Sequence, residues 1–266
     1  MPSSNGSLQP KTSCEQLRVA QKTKSPGPNP EVMELATQPS ISVIIPTLNE
    51  ARHIVACLAS LRAGHNVEII VVDGGSQDDT VALAQASGAA VLLSPPGRAR
   101  QQNLGAAAAH GDILFFLHAD TLAPPDYDQQ IRAAFQNPGI SAGAFALSIK
   151  GTHPGLKLIS LVANWRSRWL QLPYGDQGLF LTAALFQALG GFPNLPIMED
   201  LALVRRLRRC GRILTLPQAV LTSGRRWQQL GLLRTTLLNQ LMLLGFALHI
   251  DFFTLARLYR QAGQKT

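Results

Sequence analysis

From residue 40 onward, apolar runs of strand length recur at residues 42–46, 67–72, 90–93 and 113–117, separated by polar turns and by stretches of helical periodicity. The stretches between them run to about ten to fifteen residues, the length of a βαβ crossover. The spacing predicts a first helix with Asn49 as its N-cap and Ile54, Leu58 and Leu61 on one face. It predicts a second helix opened by a capping box from Ser76 to Asp79 and stopped at Gly88. Runs that are apolar throughout, such as residues 69–72, suit strands covered on both faces, so the pattern predicts an open, mostly parallel α/β sheet flanked by helices. In such a sheet the ligand sits beyond the C-terminal strand ends. Those ends carry Pro46 to Glu50, Asp73 to Asp79, Pro95 to Arg100 and His118 to Asp120, four polar loops on one edge.

Composition bounds the picture. With 266 residues and 46% hydrophobic content the chain can bury one substantial core, which excludes a mini-protein held by cross-links. Residues 1–39 mix Ser, Pro, Gln, Asn and Lys without apolar periodicity and lack the apolar stretch of a secretory signal, so they read as a disordered leader. A single domain over residues 40–224 and a basic, amphipathic helical extension over residues 225–266 follow. Cys14, Cys57 and Cys210 are odd in number and far apart; they support neither a disulfide framework nor a zinc site and point to a reducing, cytoplasmic compartment. The net charge of +8 is concentrated late in the chain, where residues 201–266 hold eleven Lys and Arg against Asp251 alone. Such a surface faces something anionic or is simply solvated. No nucleic-acid-binding motif accompanies it, so no nucleic acid is expected as a partner.

Three short motifs can carry chemistry. Asp73-Gly74-Gly75 closes a buried run and opens a helix, bringing a carboxylate, a tight turn and free N–H groups together. It reads equally as a nucleotide pocket or as an ordinary Asx-type turn. No G-x-G-x-x-G or P-loop pattern is present, which argues against a dinucleotide or P-loop enzyme. His118-Ala119-Asp120 follows the fourth run, and strand alternation would put His118 and Asp120 on one side, within reach of one Mg²⁺ or Mn²⁺ ion. The alternative is a satisfied core histidine with Asp120 capping a turn. Glu199-Asp200 opens a helix whose Leu201, Val204 and Leu207 share a face and which ends at Gly211. Its carboxylates either cap the helix or provide a general base.

Taken in order, residues 44–50 (IIPTLNE), 69–80 (IIVVDGGSQDDT), 103–120 (NLGA through GDILFFLHAD) and 198–200 (MED) resemble the inverting glycosyltransferases of family 2, whose fold is GT-A. The match in order and spacing covers about residues 40 to 215. The stretches 97–103, 117–121, 174–178, 190–193 and 222–227 are further similar to a bacterial subgroup associated with arsenosugar biosynthesis. The resemblance implies a UDP- or GDP-sugar donor, held by Pro46, Thr47, Asn49, Glu50, Asp73 and Gly74, with Arg98, Arg100, Asn103, His118, Ala119 and Asp120 completing the donor site. Asp120 would be the metal ligand of a D-x-D element in which His118 stands at the usual first Asp. Asp200, beside Glu199, would be the base that deprotonates the acceptor. Tyr174, Asp176, Gln177, Arg225, Arg226 and Trp227 fall where acceptor or diphosphate contacts are expected, and the implied cofactor is a divalent Mg²⁺ or Mn²⁺. Rival readings are transfer to a polyprenyl phosphate at the membrane surface and a nucleotide-sugar-binding protein without turnover.

Leucines 230, 233, 237, 241, 244 and 248 make one helical stripe. Arg234, Asn239 and Gln240 interrupt it, so it is too short for a bilayer span. The pattern predicts a helix packed on the domain, with an interfacial helix on the inner membrane face as the alternative.

Overall fold

The computed structural model describes residues 38–248 and 250–263, so the predicted leader lies outside the described residues except for its last two. The four predicted strands are β1 (Ile41–Thr47), β2 (Val67–Asp73), β3 (Ala90–Leu93) and β4 (Ile113–Phe116), each within one residue of its expected ends. They run parallel in the order β3-β2-β1-β4. The sheet continues through β7 (Leu179–Thr182), β6 (Ile140–Lys150), β8 (Arg212–Ser223) and β5 (Thr121–Leu122). β7 is antiparallel to β4 and β6, β5 is antiparallel to β8, and the remaining strands share one direction.

Helices α1 (Ile54–Leu61), α2 (Thr80–Ala86) and α3 (Arg98–Ala108) follow the first three strands. α4 (Tyr127–Phe135), α5 (Pro154–Leu170), α6 (Ala183–Ala188) and α7 (Glu199–Cys210) come next, with a 3₁₀ turn at Gly175–Gln177. After β8 the chain forms α8 (Arg225–Leu230), α9 (Leu232–Ala247) and α10 (Phe252–Gly263). Side-chain alternation in the central strands produces a core on each face. Ile41, Val43 and Ile45 join Ile54, Leu58 and Ile131 on one side, while Ile44 joins Val72, Ala106 and Val204 on the other. The four aliphatic residues of β1 are all fully buried, and each contributes roughly 1.5–3 kcal/mol by leaving water. α3 lies so close to β1 that a Cβ on Gly105 would sit 2.5 Å from Ile44 Cγ2, which is why this buried helix position is a glycine.

Two predicted caps are replaced by other bonds. Asn49 is left-handed, with φ 56°, and its side chain accepts from Gln77 N–H; α1 begins only at Ile54. Ser76 does not form a capping box with Asp79, because its hydroxyl donates to Asp73 instead. Gly88 follows the second helix with φ 86°, as a C′ glycine should.

The leucine stripe also departs from expectation. Leu233, Leu237, Leu241, Leu244 and Leu248 are 47–83% exposed, whereas Thr235, Met242 and Phe246 face inward. α9 is apolar around much of its circumference, so periodicity does not choose its buried face. That choice is made by tertiary contacts, with Arg205 of α7 over the Phe246 ring at 4.2 Å and Leu255 of α10 against Gly245. Among the described residues no helix is long and apolar enough to cross a membrane.

Candidate active site

The parallel strands bring their C-terminal loops together, as Gly74 N–H bonds Thr47 O, Ser94 N–H bonds Asp73 O, and Leu117 N–H bonds Ile44 O. On the β1–β2 side the structure is a closed web. Asp73 Oδ2 accepts from the N–H groups of Gly75 and Ser76 at 2.8 Å, and its Oδ1 accepts from the hydroxyls of Ser76 and Thr47. Burial alone would raise the Asp73 pKa, but these donors outweigh it and hold the carboxylate below its usual range. The Asx-type reading of this turn is therefore present in full. Gln101 of α3 pins the same loops, its amide donating to Thr47 O and Val72 O at 2.8 Å each and lying under Gly74. Pro46 and Thr47 end β1, and Glu50 N–H is anchored on Thr80 Oγ1.

Glu50 leads across to the second half of the site. Arg225 grips both Glu50 carboxylate oxygens, and its Nη2 also lies 3.4 Å from Asp120 Oδ2. Strand pairing explains the meeting: Thr121 is opposite Thr222 in the β5–β8 ladder, so Asp120 just before β5 and Arg225 just after β8 reach the same edge. The predicted same-side placement of His118 and Asp120 on an extended backbone is not found. The chain turns there, with Thr121 N–H bonded to His118 O. Ala119 is buried. His118 Nε2 is buried without a hydrogen-bond partner, and burial, reinforced by Arg98 and Arg225, pulls its pKa down to about 3, so the ring is neutral.

The 3₁₀ turn closes over this point. Gly175 N–H donates to Asp200 Oδ2 at 2.7 Å, while Asp200 Oδ1 accepts from Leu201 N–H. A Cβ on Gly175 would stand 3.1 Å from Asp200 Oδ2 and 3.2 Å from His118 Nε2, so the absent side chain lets the turn press against both. Asp176 has a buried Oδ1 with no partner. Burial pushes its pKa up to about 6; Arg166 and Arg98 oppose the shift, and Asp200 and Asp120 add to it. Glu199 is 3% exposed, 3.5 Å from Arg98 Nη1, and raised first by burial against the pull of Arg98. Glu199 and Asp200 thus do more than cap α7, whose N-cap is Met198 and shows no side-chain cap.

Other predicted residues prove to be braces. Both ends of the Asn103 amide are committed to the backbone of Phe192, at 2.8 and 2.9 Å. Gln177 is fully buried and bonds Phe145 O, Tyr174 N–H and Arg166. Trp227 packs against the larger core with its Nε1 unpartnered, and Arg100 is exposed on α3. Arg226 lies over the Tyr259 ring at 4.0 Å. Three contributors escaped sequence reasoning: Gln101, Arg166, whose guanidinium stacks 3.3 Å from the Tyr174 ring centroid, and Tyr259, whose phenol feels Arg226, Arg98, Asp176 and Asp200. No local pattern flags them, because their partners lie on other elements, outside the spacing of one helix or turn.

The family model described as "Glycosyl transferase family 2" matches residues 42–185, more than half of the chain. The chain belongs to glycosyl transferase family 2. This family 2 chain is 37% identical over 113 residues to an uncharacterized glycosyltransferase of Mycobacterium tuberculosis, covering 40% of this chain and 43% of that protein. It is 36% identical over 97 residues to glucosyl-3-phosphoglycerate synthase of the same organism, covering 32% and 30%. It therefore spans less than half the length of these curated relatives. The family 2 fold also superimposes on a mannosyltransferase from Pyrobaculum calidifontis, solved with GDP-Man and Mn²⁺, with TM-score 0.57, 19% identity and coverage of 86% and 70%. A structure of the Mycobacterium tuberculosis synthase with Mn²⁺, UDP and phosphoglyceric acid gives TM-score 0.55, 24% identity and coverage of 81% and 84%. The architecture is accordingly the GT-A-like α/β fold, a mostly parallel sheet flanked by helices.

Proposed function

We propose that this chain transfers a sugar, with inversion, from a UDP- or GDP-sugar to an acceptor hydroxyl. One observation carries the reading: Asp120, Asp176, Glu199, Asp200, Arg98 and Arg225 gather at the C-terminal edge of the parallel strands, around three buried polar atoms without hydrogen-bond partners, His118 Nε2, Asp176 Oδ1 and Glu199 Oε1. Transfer with inversion needs an in-line hydroxyl, a base for its proton and neutralisation of the departing diphosphate as the sugar acquires oxocarbenium character. Asp200 is the base, its carboxylate oriented by the Gly175 and Leu201 N–H groups. Arg98 and Arg225, positioned by Glu199 and Glu50, present guanidinium forks suited to phosphate oxygens. Asp176 repels a diphosphate, so of its two expected roles the acceptance of a hydrogen bond from a sugar or acceptor hydroxyl fits, and its bare Oδ1 is the accepting atom.

The donor set is compatible with Mg²⁺ or Mn²⁺. Asp120 is only loosely committed, at 3.4 Å to Arg225 and 3.5 Å to Thr121, and His118 is a neutral imidazole with a bare nitrogen. Among the described residues no three His, Cys, Asp or Glu side chains form a cage, so Asp120, with His118 nearby in sequence, would hold an ion whose remaining ligands come from solvent and the donor diphosphate. When bound, the ion supplies Lewis-acid stabilisation of the leaving diphosphate. The neighbour structures containing Mn²⁺ with GDP-Man or UDP support this choice. Residues 40–224 would form the catalytic body and residues 225–266 an extension, in a protein acting in the cytoplasm; the arsenosugar-associated subgroup suggested by the sequence remains part of this proposal. A lipid-linked acceptor is the second reading, favoured by the exposed leucines of α9 immediately after the helix that bears Arg225.

Thermal-shift titration with UDP, GDP, dTDP and CMP and their sugars, each with Mn²⁺, Mg²⁺ or EDTA, tests the reading. A ligand at 100-fold its Kd stabilises by about 2.7 kcal/mol. A metal-dependent shift with one nucleotide family, reduced in Asp120→Ala, is expected. No shift with any of them in folded protein, or a shift indifferent to both EDTA and Asp120→Ala, overturns the site assignment.

A further inference from the structure

We propose that α5 and α9 together form a surface that rests on an anionic lipid bilayer. α5 exposes Leu158, Leu161, Val162, Trp165 and Trp169 at 54–74%, an i, i+3, i+4, i+7, i+11 stripe along most of the helix. α9 exposes its own stripe of leucines. Monomeric proteins rarely leave large contiguous apolar patches in water, and paired exposed tryptophans beside leucines are suited to the boundary between headgroups and acyl chains. The two helices begin side by side, since a Cβ on Gly155 would lie 2.4 Å from Leu232 Cδ2.

Charge decides the occupant. α5, α8, α9 and α10 contain no Asp or Glu, and their exposed Lys157, Arg168, Arg234 and Arg257 carry positive charge into solvent. A second copy of the chain docking through a two-fold axis would bring these cationic helices against themselves. An anionic leaflet complements them, each basic residue near the surface adding to the apolar attraction. Beside the α5 stripe an open cavity of about 500 Å³ is lined by Lys150, Lys157, Ser148 and Ser160 and bordered by Leu161, with no carboxylate in its wall. Its two lysines supply the charge that a phospholipid headgroup phosphate would meet. The contact is peripheral, and it does not depend on the identity of the sugar acceptor.

Co-sedimentation of the full chain with phosphatidylcholine vesicles, alone or mixed with phosphatidylglycerol, tests the proposal without using activity. Binding to the mixed vesicles, weakened by high salt, is expected. Trp165→Ser/Trp169→Ser, and separately Leu237→Ser/Leu241→Ser/Leu244→Ser, should lower vesicle affinity by about tenfold or more, because each loses the burial of large apolar side chains. Lys150→Gln/Lys157→Gln should reduce the preference for the anionic lipid. Circular dichroism and thermal melts confirm that each variant is folded, and these surface changes should leave the fold intact. Absence of sedimentation with folded wild-type protein overturns the proposal. So does light scattering that shows a dimer which the same serine substitutions dissolve, since the face would then belong to a second copy.

Discussion

Two turns at the same sheet edge handle a carboxylate in opposite ways. At Asp73 four donors from its own turn and from Thr47 surround the side chain, and the pKa falls. At Asp176 one buried oxygen has no donor, and the pKa rises to about 6. Leaving a buried polar group unpaired costs about 1–3 kcal/mol, so the difference is energetic as well as geometric. The Asp73 turn is a finished piece of architecture that shapes the loops around it. The Asp176 turn, pressed against His118 and Asp200, leaves hydrogen-bonding capacity unspent.

The comparison can be broken most sharply at Asp200. Asp200→Asn should reduce turnover by about 10²–10⁴-fold while leaving donor affinity nearly intact, measured by transfer assay beside nucleotide titration. Equal loss of donor binding would place Asp200 in the donor site rather than at the acceptor hydroxyl. Next in size, Asp73→Ala should destabilise the fold by about 2–3 kcal/mol in urea unfolding, because several donors lose their acceptor. Its pH dependence has a definite sign. The folded pKa of Asp73 lies below the unfolded value, so the carboxylate's contribution is present above about pH 4 and disappears as pH falls through the depressed folded value. Wild type should thus lose more stability on acidification than Asp73→Ala.

Asp176→Asn should act in the other direction. With a folded pKa of about 6, Asp176 imposes no penalty below about pH 4 and an increasing one as pH rises to 6. The asparagine variant should be more stable than wild type at neutral pH by on the order of 1–2 kcal/mol, the gain vanishing near pH 4, while its KM for sugar donor or acceptor increases. A variant that unfolds as readily as Asp73→Ala would end the distinction between the two turns. The smallest effect is expected at Arg225→Ala, where a half-exposed ion pair is worth no more than about 1 kcal/mol to stability. Its consequence should appear as a higher KM for the donor, read from initial rates.

The first four strands were legible because each is an uninterrupted apolar run bounded by polar turns, and burial on both faces permits little else. The Asp73, Asp120 and Asp200 positions were legible through their order along the chain and their places at element ends. The caps at Asn49 and Ser76 were not, because Asn49 found a partner 28 residues away in Gln77, and Ser76 had two carboxylates at equal separation and bonded Asp73 behind it rather than Asp79 ahead. Arg166, Gln101 and Tyr259 stayed hidden because their partners sit on other elements, outside any single-helix or turn spacing.

By itself the sequence determined the alternation of strands and helices, the edge on which polar loops collect and the family, since these follow from local hydrophobic pattern and motif order. Tertiary structure alone decided which carboxylates are satisfied and which are left waiting, that Arg225 reaches across from the end of β8 to Glu50 and Asp120, and that α9 turns its leucines outward. Hydrogen-bond satisfaction and the choice of a helix's buried face depend on groups brought together across the fold, and no spacing along one segment contains that information.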